Sequence, residues 1–165
     1  MLSAHALELA QTLVRMNTVS QNSNLELIHF VRDTLAQLGV KSRLTFNADK
    51  TKANLFATLG EGKPSGIILS GHTDTVPWTG QDWSMDPLSA LVQDGKLYGR
   101  GGADDGYAVY ASIAAVQELK RQNVPHPRIV GLIETCEESG SRDLMPYIDA
   151  LRPRLGDVGL VICLD

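Results

Sequence analysis

The sequence predicts an α/β protein in which a mostly parallel sheet carries helices on both faces. Three observations support this class. Short apolar runs of strand length alternate with longer segments of helical periodicity, which is the order of elements in α/β sheets. No internal repeat or low-complexity segment interrupts that order. Several apolar runs also end in acidic or histidine residues, as expected where the carboxyl ends of strands border a site.

Length and composition limit the classes of protein that need to be considered. At 165 residues, with 43% of them hydrophobic, the chain can form one domain with a core but is too short for two typical domains. The net charge is −4 and no dense block of Lys or Arg occurs, so nucleic acid is not an expected partner.

The cysteines and the distribution of apolar residues indicate in which cellular compartment the protein is expected. Cys136 and Cys163 each lie in an apolar segment, where a small soft side chain packs well, and two cysteines do not make a disulfide framework. The amino terminus lacks a signal-peptide pattern, and no apolar run approaches membrane-spanning length. We therefore expect a soluble, cytoplasmic protein without a membrane partner.

The first two predicted elements are helices. Ser3 can cap a helix that runs to about Met16 on a broad apolar stripe. A second helix begins near Asn24 and stops at Gly39, where glycine adopts a left-handed cap at low cost. Both helices are expected to serve as scaffold.

The remaining elements follow from apolar runs bounded by turn residues. In order, they are strands at 40–46 and 54–59, a surface turn at 60–64, a buried strand that delivers His72, an ordered loop at 78–87, a hairpin of 88–93 and 96–98 around Asp94-Gly95, a helix at 107–122, a strand at 128–135, a helix to about Leu151 and a strand at 158–164. Asp-Gly is one of the stronger short signals for a hairpin.

The apolar run Ile67-Ile68-Leu69 is closely followed by a histidine and an aspartate that lie two positions apart, His72 and Asp74. Alternation along a strand points His72 and Asp74 to the same side. A metal-binding imidazole usually donates its other ring N–H to a partner that fixes its tautomer, so His72 is a candidate ligand and Asp74 a candidate orienting group. Taken alone, the pair favours a strand end with two ordinary polar residues. Polar residues at the ends of other predicted strands make a binding site the better interpretation.

Further acidic residues follow other predicted strands. They are Asp104 at the start of the long helix, Glu137 and Glu138 after the strand at 128–135, and Asp165 after the strand at 158–164. Because parallel strands end at one edge of a sheet, we expect these side chains to converge with His72. Carboxylates with an imidazole suit a zinc-like ion, and a shared carboxylate allows a second ion nearby. The alternatives are helix capping for Asp104 and its neighbour Asp105, and a solvated loop for the two glutamates.

Four motifs, in order and spacing, closely resemble a known family. They are His72-Thr73-Asp74, Tyr98-Gly99-Arg100-Gly101-Gly102-Ala103-Asp104, Glu137-Glu138-Ser139-Gly140 and Asp165. The family is the di-zinc metallopeptidases, which include aminoacylases, acetylornithine deacetylase, succinyl-diaminopimelate desuccinylase, and related dipeptidases and carboxypeptidases. The resemblance covers essentially the whole chain and implies a three-layer α/β/α sandwich.

The resemblance also implies roles for individual residues. The implied ligands are His72 and Asp165 for one zinc ion, Glu138 for the other, and Asp104 as a bridge between them. The implied catalytic residues are Asp74, which orients His72, and Glu137, the general base and acid. The implied reaction is hydrolysis of the amide bond of N-acyl amino acids or small peptides, in which zinc stabilises the oxyanion and Glu137 passes a proton to the leaving amine. Cobalt or manganese would fit the same ligands.

This chain is shorter than the members it resembles, which carry a second, smaller domain after the position of Asp165. We expect residues 1–165 to be the metal-binding catalytic domain without the lid and dimerisation domain, and without the histidine that completes the second zinc site. The remaining histidines, at positions 5, 29 and 126, lie outside the motifs and are not candidate ligands.

Two functions are therefore open. The first is a zinc-dependent amidohydrolase, and the alternative is an inactive truncated or chimeric fragment that acts as a metal-binding or interaction module. A surface left without its second domain would also favour a homodimer.

Overall fold

The computed structural model describes residues 4–60 and 66–165. The helices are α1 (Ala4–Val14), α2 (Leu25–Gln37), α3 (Gly106–Gln122) and α4 (Leu144–Leu155). The strands are β1 (Lys41–Phe46), β2 (Ala53–Leu59), β3 (Gly66–His72), β4 (Leu91–Gln93), β5 (Lys96–Tyr98), β6 (Ile129–Glu134) and β7 (Val158–Cys163). A 3-10 turn covers Glu137–Ser139. The predicted cap Ser3 and most of the predicted turn at 60–64 lie outside the described residues.

Every predicted helix and strand is present, and only the bounds differ. The first helix ends at Val14 rather than at Met16, and the last continues past Leu151 to Leu155. Asp94 and Gly95 have φ angles of 51° and 74°, the positive values that a two-residue hairpin turn requires. The Asp-Gly signal therefore predicted the β4–β5 hairpin correctly.

The main sheet has five strands in the order β1-β2-β6-β3-β7. Strand β3 pairs in parallel with both β6 and β7, whereas β2 is antiparallel to both of its neighbours. Four of the five strands therefore run in one direction, which confirms the mostly parallel sheet. Strand β2 is the exception because a short turn joins it to β1, and such a turn can connect only antiparallel strands.

Helices cover both faces of this sheet. Alternate residues of β2 separate the two apolar clusters: Leu55 and Ala57 pack under the layer of α1, α2 and α3, whereas Phe56 packs under α4. Tyr147 and Leu151 of α4 are almost fully buried in the second cluster. The arrangement is a three-layer α/β/α sandwich, as predicted.

The last strand, β7, lies at the edge of the sheet. Among the described strands it pairs with β3 alone, and all six of its residues are exposed. Leu160 and Val161 retain 52% and 55% of their accessible surface. The apolar sequence of this strand therefore predicted its conformation correctly, although its side chains are not covered by any described element.

Two further observations bear on the compositional predictions. Both cysteines are free; Cys136 is buried as expected, but Cys163 on β7 is exposed, because that edge strand lacks a covering layer. Of the helices within 4–60 and 66–165, none combines the length and apolar character needed to cross a membrane.

Candidate metal centre

Three side chains meet at the carboxyl edge of the sheet. His72 ends β3, Asp165 follows the adjacent parallel strand β7, and Asp104 lies just before α3. His72 Nε2 lies 3.1 Å from Asp104 Oδ1 and 3.9 Å from Asp165 Oδ1. Among the described residues, this is the group of metal-binding type whose ligand atoms all lie within 4.8 Å of one another. The imidazole is buried, whereas both carboxylates open to solvent.

The imidazole of His72 is oriented by its contact with Asp74. Nδ1 lies 2.9 Å from the main-chain oxygen of Asp74 and 3.5 Å from Oδ1 of its carboxylate. Since the nearer atom is a carbonyl oxygen, which can only accept, we assign the proton to Nδ1. The residue pair is the predicted one, but the main chain of Asp74 makes the closer contact.

In the neutral imidazole, this tautomer directs the lone pair of Nε2 toward the two carboxylates. Nε2 is buried and makes no hydrogen bond within the described part of the chain, even though Asp104 is close. A buried, unpaired imidazole nitrogen facing carboxylate oxygens is an arrangement that a divalent ion would satisfy. The residues at this edge therefore fit a metal ion.

The carboxylate of Asp74 lies under the site and is itself held on two sides. Its Oδ2 accepts a hydrogen bond from Ser20 Oγ at 2.7 Å, and its Oδ1 accepts one from the main-chain N–H of Glu137 at 3.0 Å. Burial raises the pKa of Asp74, but the contact with His72 and the hydrogen bond from Ser20 outweigh burial and lower it overall. Asp74 is thus held as a carboxylate.

The two predicted glutamates occupy the 3-10 turn that follows β6. Both are partly exposed, and Glu137 is connected to the site through its main-chain bond to Asp74. Burial, followed by the charge of Asp104, raises the pKa of the Glu138 carboxyl. Glu138 is not part of the compact group formed by His72 and the two aspartates.

Asp105 is a site residue that the sequence interpretation missed. Instead of capping α3 with its side chain, it is fully buried, and its Oδ2 accepts a hydrogen bond from the main-chain N–H of His72 at 2.9 Å. Burial raises its pKa to about 6, although the bond from His72 acts in the opposite direction. The peptide bond between Asp104 and Asp105 is cis. Helix capping therefore does not describe the role of this acid.

Gly71 allows Asp105 to approach β3. A Cβ atom at position 71 would lie 2.8 Å from Asp105 Oδ2 and 2.7 Å from the Cβ of Ala108 in α3. A glycine next to the histidine, inside an otherwise apolar strand, is the sequence signal that could have indicated such a close approach.

The charges around His72 favour its protonated form when no metal competes. Burial alone would lower the pKa of His72, but its contact with Asp74 and the charges of Asp105 and Asp74 raise it to about 9. An ion that binds Nε2 must therefore displace a proton near neutral pH.

Fold and site together define an α/β protein with a candidate metal centre at its strand ends, the class expected for metal-dependent hydrolases. Residues 68–163, more than half of the chain, match the family described as Peptidase family M20/M25/M40, and the chain belongs to this family. The predicted family resemblance is confirmed.

Curated relatives match nearly the whole chain. It is 38% identical over 153 residues to the succinyl-diaminopimelate desuccinylase of Parvibaculum lavamentivorans, covering 90% of this chain and 36% of that protein. It is 32% identical over 160 residues to the acetylornithine deacetylase of Pasteurella multocida, covering 93% of this chain and 41% of that protein. The chain thus spans well under half the length of these relatives.

Solved structures have the same fold. Human carnosine dipeptidase 1 aligns with a TM-score of 0.83 at 26% identity, over 96% of this chain and 38% of that one. A metallo-carboxypeptidase of the M20 family from Sulfolobus solfataricus aligns with a TM-score of 0.87 at 23% identity, over 98% of this chain and 37% of that one. These alignments confirm the α/β/α sandwich.

Proposed function

We propose that this chain is the metal-binding catalytic portion of a zinc-dependent amidohydrolase. The observation that carries the proposal is the buried Nε2 of His72, which makes no hydrogen bond and faces the carboxylates of Asp104 and Asp165. Membership of a peptidase family supports a hydrolytic reaction.

The proposal assigns each predicted residue a role. His72 and Asp165 would hold one zinc ion, Glu138 the other, and Asp104 would bridge them. One imidazole with several carboxylates is a ligand set that zinc accepts, and cobalt or manganese would also fit it. Bound zinc would polarise the amide carbonyl and lower the pKa of water.

The remaining roles belong to the protein's own side chains. The Asp74 carbonyl would hold the His72 imidazole in the tautomer that presents Nε2, as its 2.9 Å contact with Nδ1 suggests. Glu137 would take a proton from the attacking water and return it to the leaving amine. Its turn is tied to Asp74 by a main-chain hydrogen bond, which supports a fixed position beside the ligands.

The substrate class comes from the relatives. Their names describe a desuccinylase of succinyl-diaminopimelate, a deacetylase of acetylornithine and a dipeptidase of carnosine. Each name implies hydrolysis of an amide on an amino acid. We carry this class to the present chain, and propose N-acyl amino acids or small peptides as its substrates.

The first test is the zinc content of the parent chain and of His72→Ala. Each protein is loaded with zinc, dialysed to remove unbound metal and measured by elemental analysis. About one ion per chain is expected for the parent, because three ligands form a compact group, with loss of that ion in the variant. His126→Ala is the matched control, because His126 lies in an exposed loop and contacts the carbonyl of Pro127. Equal zinc content in the parent and in His72→Ala would refute the site.

A second candidate is a non-catalytic metal-binding or interaction module. It is favoured by the position of Glu138 outside the compact group of His72, Asp104 and Asp165. Hydrolysis of N-acetylornithine, N-succinyl-diaminopimelate and carnosine by the zinc-loaded chain separates the two candidates. Zinc binding without turnover of any of them would favour the module.

A further inference from the structure

Lys52 contacts two segments that also hold Asp74, the residue that orients the candidate ligand His72. It directly precedes β2, and its main-chain N–H donates to Asn47 Oδ1 at 2.9 Å, which fixes its position in the β1–β2 turn. Its Nζ donates to the carbonyl of Ser20 at 2.5 Å and reaches the carbonyl of Thr135 at 3.4 Å. The side chain is only partly exposed.

The two segments that Lys52 contacts each donate to one carboxylate oxygen of Asp74. Ser20 belongs to the loop after α1, and its hydroxyl donates to Asp74 Oδ2. Thr135 follows β6 two residues before Glu137, whose N–H donates to Asp74 Oδ1. The ammonium of Lys52 therefore joins the two segments that hold the Asp74 carboxylate.

The loop that carries Ser20 is otherwise attached to the site by main-chain bonds. The N–H of Ser20 donates to the carbonyl of Thr75 at 3.0 Å, and the N–H of Thr75 donates to the carbonyl of Thr18 at 3.1 Å. These bonds set the register of the loop beside residues 73–75. They do not connect it to the turn that carries Glu137, whereas Lys52 does.

Charge supports the same relationship. Asp74 is almost fully buried, and the ammonium of Lys52 lies against the two segments that hold its carboxylate. Lys52 therefore also places a positive charge near this buried negative charge.

We propose that Lys52 is a positioning residue of the metal centre, which holds Asp74 against His72 by joining the Ser20 carbonyl to the Thr135 carbonyl. The inference rests on the proposed zinc site for its effect on metal binding. Its effect on the segments around Asp74 does not depend on metal.

The test compares two variants. Lys52→Met removes the positive charge and the hydrogen-bond donors but keeps the length of the side chain, whereas Lys52→Arg keeps the charge and the donors. Lys50→Met is the matched control, because Lys50 is exposed in the same turn. The zinc dissociation constant is measured by competition with a chromogenic chelator. Lys52→Met should weaken zinc binding by about tenfold or more, as loss of a group that orients a ligand does, and Lys52→Arg should restore most of the affinity.

A second measurement uses metal-free protein. Amide exchange at Glu137 and the ¹⁵N shifts of the His72 ring report the Asp74 hydrogen bond and the imidazole tautomer. Both should change in Lys52→Met and remain at parent values in Lys50→Met. If the parent binds no zinc, the proposed function fails, and the exchange and ring shifts alone decide the role of Lys52.

Parent-like zinc affinity and parent-like Glu137 exchange in Lys52→Met would overturn the inference. If that variant does not fold, Lys52→Gln tests the same contacts, because its neutral, shorter side chain withdraws the donor from the Ser20 and Thr135 carbonyls. Lys52→Gln should then weaken zinc binding and speed Glu137 exchange. Parent values for both in Lys52→Gln would overturn the inference as well.

Discussion

Asp105 Oδ2 accepts a hydrogen bond from the main-chain N–H of His72 at 2.9 Å, so the acid immediately before α3 fixes the end of β3. The contact acts on the backbone of the histidine, while Asp74 acts on its ring. Two aspartates thus determine where the imidazole lies and which nitrogen it presents.

Replacing Asp105 by Ala should destabilise the fold. The buried N–H of His72 would lose its acceptor, which costs about 1–3 kcal/mol in unfolding free energy. Asp105→Asn keeps an acceptor oxygen and should cost less. Urea denaturation of both variants measures the difference, with Asp94→Asn in the exposed hairpin turn as a control. A loss in Asp105→Ala no larger than that of the control would contradict the role given to this contact.

Gly71→Ala should be among the more damaging substitutions in the sheet. The added Cβ would lie 2.8 Å from Asp105 Oδ2 and 2.7 Å from Ala108 Cβ, so β3 and α3 would have to separate. Overpacking of this kind costs about 1–3 kcal/mol or more. Gly131→Ala on neighbouring β6 is the matched control, because its Cβ would make an ordinary 3.5 Å contact with Ala57. Thermal melting of both variants is the measurement, and equal melting temperatures would show that α3 can move away at no cost.

The metal-free protein should lose stability as the pH rises from about 6.5 toward 9. The pKa of His72 is raised to about 9 in the folded chain, above its ordinary value of 6.5, so its stabilising effect is fully present below pH 6.5 and lost through pH 9. The pKa of Asp105 is raised to about 6, so its ionisation also lowers the stability of the folded chain as the pH rises, but over a lower pH range. Urea denaturation at a series of pH values measures the slope. His72→Gln should flatten its upper part, and an unchanged slope in that variant would assign the effect to another group.

Zinc affinity should increase with pH over the same range. Because zinc displaces one proton from His72, the logarithm of the association constant should rise by about one per pH unit below pH 9. Chelator competition between pH 6.5 and 8.5 gives this slope. A pH-independent affinity would mean that His72 is already neutral in the metal-free chain.

Tyr147→Phe should leave stability unchanged or raise it. The hydroxyl is buried and makes no hydrogen bond within the described part of the chain, so its removal eliminates an unpaired polar group while the ring still packs against Phe56 and Leu132. The unfolding free energy should stay within about 0.5 kcal/mol of the parent or increase. A loss above about 1 kcal/mol would indicate that a buried water bonds the hydroxyl.

Most of the fold could be predicted because its signals are local. Apolar runs of strand length, the Asp94-Gly95 turn and the helical stripes each depend on a few neighbouring residues. The meeting of His72 with Asp165 was also predictable, since parallel strands end at the same edge. The antiparallel direction of β2 follows from the short turn before it.

The details of the site were less accessible because they depend on contacts between distant segments. Asp105 looks like a helix cap in sequence, and only the packing of α3 on Gly71 directs its carboxylate to the main chain of His72. Ser20 and Lys52 lie in polar loops, where nothing local indicates a partner 54 or 83 residues away. The exposure of β7 depends on what covers the sheet edge, which the strand's own composition does not reveal.

The position of β7 also affects how long a metal ion would remain bound. Within the described residues, Asp165 follows a strand that pairs on one side only, with β3, and the Leu164 N–H next to it donates to the Ser70 carbonyl at 2.9 Å. Edge strands open by local fraying far more often than central ones, without global unfolding. Each opening would remove one ligand while His72 and Asp104 stay in place. The dissociation rate of the ion would then depend on how often β7 opens. Any element that pairs with this edge strand would make opening rarer and would slow metal release.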